Sequence, residues 1–471
     1  MRLMYVVLAV ATLISGCAST GDWSSDTPAR GNSKSSKVTR VNLKNQSVSK
    51  VYAPSDNLWI RIRDGFQMEP MNSPLEIEQV RWLSARPDYV NRSMTRSSRY
   101  LFYIVQEVNA RNMPTEIALL PFVESAFVTN AKSNAKAVGL WQFMPATGKD
   151  FQLTQNVFRD ERRDVLQSTD AALDYLQRLN NQFGSWELAL AAYNWGAGNV
   201  SKAQKRNIAA GLPTDYESLT MPRETRMYVP KLMAYRQIVL DPQAYGIVLP
   251  ELENHPYFVA VDVGNDIDVA LAIKLAEIPP DEFHSLNPSF NKPVILSNAN
   301  QQILLPFGHA EIFQENLKKY TKPLSSWTAV KVTKTESVDQ TAKTLAVDAD
   351  ALRQVNGIPK GMRIKAGSTV LIPKTGNRSG DVSSAMADNA SLSLEKPPPP
   401  QPKCPKPTKG SKGAKTVKCA PPKTLKVVEG ASTKGNSSGK NAASQHKSAS
   451  TGLAKSAKNG SSTPSANKAA N

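Results

Sequence analysis

One glutamate in an apolar segment is the first candidate for chemistry in this sequence. Glu124 lies in the run Leu120–Phe127, where its neighbours are apolar, small or aromatic. Loss of water around a carboxyl group disfavours the ionised form, so its pKa rises and it can hold a proton near neutral pH. Such a group can act as a general acid on an acetal oxygen. Taken alone, a partly exposed structural glutamate on a helix face explains the same residue.

The segments around Glu124 carry helical patterns and would have to position it. Pro114 restarts a helix, Pro121 interrupts it, and Glu124 falls near its end. No strand alternation appears between Trp59 and Val239, so we expect an all-α domain over residues 51–250. Apolar residues at helical spacing predict its other helices over 76–83, 100–108, 170–179, 186–193 and 226–239.

The pattern changes after Pro250, where a strand–helix–helix–strand order occurs twice. The repetition predicts two small α+β modules, over residues 256–308 and 326–374, that arose by duplication. The first is the more irregular copy, with an inserted stretch near Val294 to Gln302. The predicted strands are 257–261, 303–306, 327–332 and 369–373, and the predicted helices are 268–277, 280–286, 337–345 and 349–355.

The formal net charge of +18 belongs mainly to the end of the chain. Sixteen basic and four acidic residues follow Lys374, in sequence dominated by Ser, Ala, Gly, Lys and Pro. This composition predicts a disordered basic tail over 375–471. Basic tails without aromatic residues indicate nucleic-acid binding only weakly, so we expect no nucleic-acid partner.

The first residues predict export from the cytoplasm. Arg2 precedes an apolar run that is too short to span a bilayer but suits a signal peptide over residues 1–16. The run ends in Leu13-Ile14-Ser15-Gly16-Cys17, which resembles the bacterial lipobox. That resemblance implies acyl chains on Cys17 and, because residue 18 is not Asp, the periplasmic face of the outer membrane. Residues 17–50 have the polar composition of a flexible tether.

Metal and cofactor chemistry is not expected. The four histidines are scattered without metal-ligand spacing, and the three cysteines form no CxxC pair. The segment Gly196-Ala197-Gly198 follows no strand and therefore does not predict a nucleotide-binding loop.

Four further stretches stand in a fixed order along the helical region. They are Glu124-Ser125, Gly139-Leu140-Trp141-Gln142, Ala191-Ala192-Tyr193-Asn194 with Gly196 and Gly198, and Glu224 to Pro230. In this order they resemble the motifs of soluble lytic transglycosylase-type domains, which have a goose-type-lysozyme-like fold and cleave the glycan of peptidoglycan. Together with the lipobox and the repeats, they make the chain similar to the membrane-bound lytic murein transglycosylases.

The resemblance implies a reaction for Glu124. Its carboxyl group would protonate the glycosidic oxygen between N-acetylmuramic acid and N-acetylglucosamine. The resulting carboxylate would then take the proton of the muramoyl 6-hydroxyl as that oxygen attacks C1, leaving a 1,6-anhydro sugar. Because the substrate supplies its own nucleophile, one carboxylate can suffice where other glycosidases use two.

The same resemblance implies a set of substrate-binding residues. Tyr193 matches a tyrosine that hydrogen-bonds near the catalytic carboxylate. Ser125 and Gln142 would hydrogen-bond the substrate, and Asn194 would cap or orient the backbone. Trp141 and Tyr228 would contact sugar faces, with a place in the core as the open alternative for both. The glycines of these motifs would serve turns or close backbone approaches.

The two modules resemble the LysM peptidoglycan-binding module, with Leu286-Asn287-Pro288 and Val355-Asn356-Gly357 as matching turns. Glycan strands of peptidoglycan are therefore the expected partner. Three other readings stay open: a hydrolytic muramidase with the same fold, a non-catalytic wall-binding lipoprotein, and modules that are spacers without a ligand.

Overall fold

The computed structural model describes residues 56–297, 302–376 and 379–397. The predicted signal peptide, Cys17, the tether and residues 398–471 of the predicted tail lie outside the described residues.

The first folded region is helical, as predicted, and no β-strand occurs in described residues 56–250. Two 3-10 helices, Thr115–Leu119 and Gln243–Tyr245, supplement the α-helices. The α-helices are α1 Leu58–Asp64, α2 Pro74–Ser84, α3 Pro87–Ser97, α4 Leu101–Ala110, α5 Leu120–Glu124, α6 Pro145–Asp150, α7 Val165–Phe183, α8 Trp186–Trp195, α9 Ala197–Ala209, α10 Arg223–Arg226 and α11 Tyr228–Leu240.

The long helix α7 shows how sequence sets the helix ends. The Asp164 carboxylate accepts the backbone N–H groups of Leu166 and Gln167, both at 3.0 Å, and so caps the first turn. Gly184 ends the helix at φ 69°, a conformation that glycine adopts without a steric penalty. Ser185 then caps α8 by accepting the Leu188 N–H group. The two helices therefore follow each other with a fixed turn between them.

A buried ion pair fixes α11, the helix that carries Tyr228. Glu116 is fully buried and pairs with Arg236 at 3.0 Å. Its two carboxylate oxygens also accept the backbone N–H groups of Gln67 and Met68, each at 3.1 Å. These partners offset much of the free-energy cost of removing the Glu116 charge from water. Because they come from two other parts of the chain, Glu116 links three segments that are separated in sequence.

The two modules each contain the predicted outer strand pair, together with a shorter strand pair that was not predicted. Phe258 pairs with Pro306 in the first module, and Trp327 pairs with Pro373 in the second. The first module comprises β1 Phe258–Asp262, β2 Ile267–Asp268, α12 Val269–Ala276, α13 Pro280–Leu286, β3 Val294–Ile295 and β4 Gln302–Pro306. The second comprises β5 Trp327–Lys331, β6 Glu336–Ser337, α15 Val338–Leu345, α16 Ala349–Asn356, β7 Arg363–Ile364 and β8 Thr369–Pro373.

Each module has an asparagine at the end of its second helix, and the two asparagines make the same hydrogen bonds. Asn287 donates to the carbonyl of Leu304 and accepts the N–H of the same residue, both at 2.8 Å. Asn356 makes the same pair of bonds with Leu371, also at 2.8 Å. These buried bonds attach the second helix to the last strand. Identical bonding at corresponding positions supports the predicted duplication.

The first module packs directly on the helical domain. Arg99 forms a salt bridge with Glu282 at 2.8 Å, and the Tyr100 hydroxyl donates to the carbonyl of Ser285 at 2.9 Å. A helix that was not predicted, α14 Phe307–Lys319, follows β4 and extends the module past residue 308. Ala310 of α14 is buried in the module core.

The prediction of disorder from residue 375 is wrong for residues 379–397. This segment contains α17 Ser384–Asp388 and β9 Leu394–Glu395, which pairs with β7. The Asp266 carboxylate accepts the N–H of Val382 at 2.8 Å. The segment therefore lies against both modules and the helical domain, in an apolar cluster that contains Phe158, Val294, Leu296, Ala329, Leu371, Val382, Ala387 and Ala390.

Candidate active site

Glu124 is the last residue of α5, where the chain leaves the helix and reverses. Leu120 and Phe122 bury the helix in the core, while Glu124 itself is half-buried. Ala126 and Phe127 follow at φ 48° and 58°, in the left-handed region, and the N–H of Phe127 returns to the carbonyl of Pro121 at 3.2 Å. This turn holds the carboxyl group at the end of a buried helix instead of on its solvent face.

The environment of Glu124 favours its protonated form. Burial raises the pKa of this carboxyl group to about 7, and the charge of Glu224 acts in the same direction. A hydrogen bond donated by the Tyr228 hydroxyl and the positive charge of Lys231 lower the pKa and partly offset the rise. A carboxyl group with a pKa near the working pH can both give and take a proton, the two roles predicted for Glu124.

Tyr228, and not Tyr193, is the tyrosine that contacts Glu124. The Tyr228 side chain is buried at the start of α11, with its hydroxyl on Glu124 Oε1. The predicted contact of Tyr228 with a sugar face is therefore wrong. Tyr193 is close enough for the charge of Glu124 to raise its pKa, but its hydroxyl donates to the carbonyl of Trp141 at 2.8 Å. Tyr228 thus contacts the carboxyl group itself, whereas Tyr193 contacts the backbone of Trp141.

Trp141 belongs to the core, so its predicted contact with a sugar face is also wrong. Its side chain has an exposed fraction of 0%, and its indole N–H donates to the Thr169 hydroxyl at 3.0 Å. A buried indole commonly has such a partner. The residue nevertheless serves the site, because its carbonyl fixes the hydroxyl of Tyr193.

Gly139 begins the loop Gly139-Leu140-Trp141-Gln142, which Ser125 contacts, and no other residue type fits there. Its φ is 86°, and a Cβ added to it would lie 2.2 Å from the carbonyl oxygen of Arg162. The predicted close backbone approach is therefore confirmed at Gly139. Gly196, with φ 92°, marks the turn between α8 and α9, whereas Gly198 lies inside α9 with open space around it. The turn or close approach predicted for Gly198 is wrong.

Ser125 ties this loop to the end of α5, and Gln142 closes the loop on itself. The Ser125 hydroxyl donates to the carbonyl of Leu140 at 2.9 Å, and the Gln142 amide donates to the carbonyl of Gly139 at 2.9 Å. Both side chains are half-buried, so their oxygen atoms remain placed to accept bonds from a ligand. Their contact with substrate stays a prediction.

Asn194 joins α8 to α10. Its side-chain oxygen accepts the Thr225 hydroxyl at 2.8 Å, which fixes the segment that leads into Tyr228. Its capping or orienting of the backbone and its contact with substrate stay predictions. In the described parts of the chain no group of three or more His, Cys, Asp or Glu residues could hold a metal ion. Within the same parts, no helix has the length and apolar character that crossing a membrane requires.

Comparison with known protein families places this helical site in a class. The Transglycosylase SLT domain matches residues 103–211, which contain Glu124, Trp141 and Tyr193. The LysM-like domain of lytic transglycosylase MltD matches residues 257–322. That match runs past the predicted end at 308 and takes in α14. The chain is thus a lytic transglycosylase with a helical catalytic domain followed by a LysM-like domain.

The chain belongs to the family of membrane-bound lytic murein transglycosylase D. It is 33% identical over 384 residues to the proteins of that name from Escherichia coli strains K12 and CFT073, across 78% of this chain and 84% of each relative. It is also 41% identical over 128 residues to a putative tributyltin chloride resistance protein of Alteromonas sp. strain M-1. That similarity covers 27% of this chain and 58% of the relative.

Proposed function

We propose that this enzyme cleaves the β-1,4 bond between N-acetylmuramic acid and N-acetylglucosamine and leaves 1,6-anhydromuramoyl ends. The observation that carries the proposal is the half-buried Glu124, with a pKa of about 7 and a hydrogen bond from Tyr228. Glu124 first gives its proton to the glycosidic oxygen as the bond from that oxygen to C1 breaks. The ionised group then takes the proton of the muramoyl 6-hydroxyl while its oxygen bonds to C1.

A single carboxyl group is sufficient for this sequence of steps. Glycosidases that use water or a covalent intermediate need a second carboxylate on the other face of the sugar. Glu224, the acid whose charge raises the pKa of Glu124, lies exposed on α10. An intramolecular hydroxyl is already held next to C1, which replaces the encounter with water and lowers the entropic part of the barrier.

The mass of the products tests this reaction against a hydrolytic muramidase. Digestion of isolated peptidoglycan should release fragments that are lighter by one water, about 18 mass units, than hydrolysis products of the same strands. Incubation in ¹⁸O-labelled water is the control, because hydrolysis would incorporate the label and an internal attack would not. Labelled, heavier fragments would replace this proposal with the hydrolytic alternative.

We also propose that the two modules hold the enzyme on glycan strands. The family match covers the first module, and the second shares its strand pairing and its asparagine bonds. Binding by the second module is inferred from that likeness.

The lipid anchor on Cys17 is likewise proposed, with the periplasmic face of the outer membrane as the location. The printed name of the relatives from Escherichia coli describes them as membrane-bound, and the lipobox offers a means of attachment. Changing Cys17 to Ala should move the full-length protein from the membrane fraction to the soluble periplasmic fraction, as seen by immunoblot. Unchanged membrane recovery would contradict the anchor without affecting the catalytic proposal.

A further inference from the structure

A cavity opens beside Glu124 on the surface of the catalytic domain. It has a volume of about 540 Å³ and lies among α2, α3, α5, α10 and α11. Val123, the residue before Glu124, lines it, as do Glu224 and Lys231, whose charges act on the Glu124 carboxyl group. The cavity therefore lies next to the catalytic carboxyl group, and we call it the Trp82 groove. Its size is that of sites that hold small organic ligands.

The walls of the Trp82 groove are aromatic and apolar. Trp82 is 42% exposed, which is unusual for so large an apolar side chain. Tyr89 packs edge-on against it with ring centroids 5.6 Å apart, and the Arg86 guanidinium lies 4.3 Å from the centroid of the Trp82 ring. Leu83 and Met227 are buried beneath. Contacts on both sides of Trp82 hold an exposed aromatic surface in place, which reduces the entropy lost when a ligand binds.

Charged groups of both signs surround this apolar wall. Lys231 is half-buried, and its ammonium group forms no salt bridge with any residue in the described ranges. Arg223 and Glu78 are exposed and 3.5 Å apart, a weak pairing that a ligand can replace at little cost. Glu224 adds a second exposed carboxylate. The Tyr235 hydroxyl is buried at the groove without a hydrogen bond of normal length, although Tyr89 and Ser93 influence its pKa.

We propose that the Trp82 groove binds the peptide stem of a muramoyl residue next to the bond that is cleaved. This inference rests on the proposed function. The sugar rings within a stem-bearing strand carry no ionised group, whereas a short peptide stem carries carboxylates and an amine together with apolar side chains. Lys231 and Arg223 complement the carboxylates, Glu78 and Glu224 complement the amine, and Trp82 covers the apolar part.

The ratio of two cleavage rates tests the groove. Initial rates at low substrate give kcat/KM for strands with intact stems and for the same strands after an amidase has removed the stems. The wild-type enzyme should favour stem-bearing strands by about tenfold. Both Trp82→Ala and Lys231→Met should bring the ratio to within about twofold of one. Because the same Glu124 cleaves both substrates, an effect of Lys231 on its pKa cancels in the ratio.

A variant outside the groove serves as the control. Ile208 is exposed on α9, and Ile208→Ala should keep the wild-type ratio. A wild-type ratio near one, or a ratio that neither groove variant changes, would overturn the proposal. Lys231→Met removes a charge at nearly constant length, so it decides the question even if Trp82→Ala fails to fold. Failure of the catalytic proposal looks different, because Glu124→Gln would then still cleave both substrates.

Discussion

Replacing Glu124 by glutamine is expected to lower kcat on peptidoglycan strands by at least about 10³-fold. Glutamine keeps the size of the side chain and an oxygen that can accept the hydrogen bond from Tyr228. It has no proton to give to the glycosidic oxygen and cannot take one from the 6-hydroxyl. Both proton transfers depend on the Glu124 carboxyl group, so the variant loses the proton donor of the first step and the proton acceptor of the second. Chromatography of the released fragments with mass detection measures the loss.

Binding to the wall separates this chemical defect from a folding defect. Glu124→Gln should sediment with insoluble peptidoglycan as the wild-type enzyme does, because the modules are intact, and its thermal unfolding temperature should be unchanged. Glu217→Gln is the matched control, since Glu217 is an exposed acid outside the site, and it should keep full activity. Activity of Glu124→Gln within tenfold of the wild type would remove Glu124 from the mechanism. Loss of sedimentation in both proteins would instead argue against the modules as wall binders.

The regular, strongly apolar helices were predictable from the sequence because all residues on their buried face are apolar and recur at helical spacing. In α4, for example, Leu101, Ile104, Val105 and Val108 are all fully buried. Glu124 was predictable for a related reason, since a carboxylate is unusual in such surroundings. Its partner Tyr228 was assigned a different role, because no local pattern tells which of two nearby tyrosines points at the carboxyl group.

Helices with polar buried residues escaped prediction. In α3 the buried face includes Ser93 and Ser97. The Ser93 hydroxyl donates to the carbonyl of Val90 and the Ser97 hydroxyl to that of Met94, both at 2.7 Å and within the same helix. In α9 it includes Asn207, which bonds the carbonyls of Pro213 and Ser218. These side chains satisfy their polar atoms locally and then pack like small apolar groups. Only the structure reveals that they are inside.

The order of segment 379–397 could not be predicted from its composition. Its composition is that of a disordered tail, with few large apolar residues. Order comes from partners far away in sequence: the Asp266 carboxylate holds the N–H of Val382, and the N–H of Lys365 donates to the carbonyl of Ser393 at 2.9 Å. Stability of this segment is supplied by surfaces that form only once the modules are folded, so composition alone could not predict it.

Replacing Tyr228 by phenylalanine should have the second largest effect and should change the shape of the pH profile. The first step needs protonated Glu124, and burial gives this group a pKa of about 7, so wild-type activity should fall as the pH rises through 7. The hydrogen bond from Tyr228 lowers that pKa. Its removal raises the pKa, so the alkaline limb of kcat/KM should move to higher pH. At the same time kcat should fall about 10²-fold, because the carboxyl group loses the contact that orients it.

At high pH the lower kcat of Tyr228→Phe reduces its activity, whereas the shifted alkaline limb preserves activity. The variant can therefore be told from a damaged protein. A protein that was merely damaged would be slower at every pH and would keep the position of the limb. Tyr100→Phe provides the comparison, because it also removes a buried hydroxyl, one that donates to the carbonyl of Ser285 and not to Glu124. That variant should keep the wild-type limb. If the limb of Tyr228→Phe stays in place or moves to lower pH, then Tyr228 does not set the proton affinity of Glu124, and its position in the site has only a packing role.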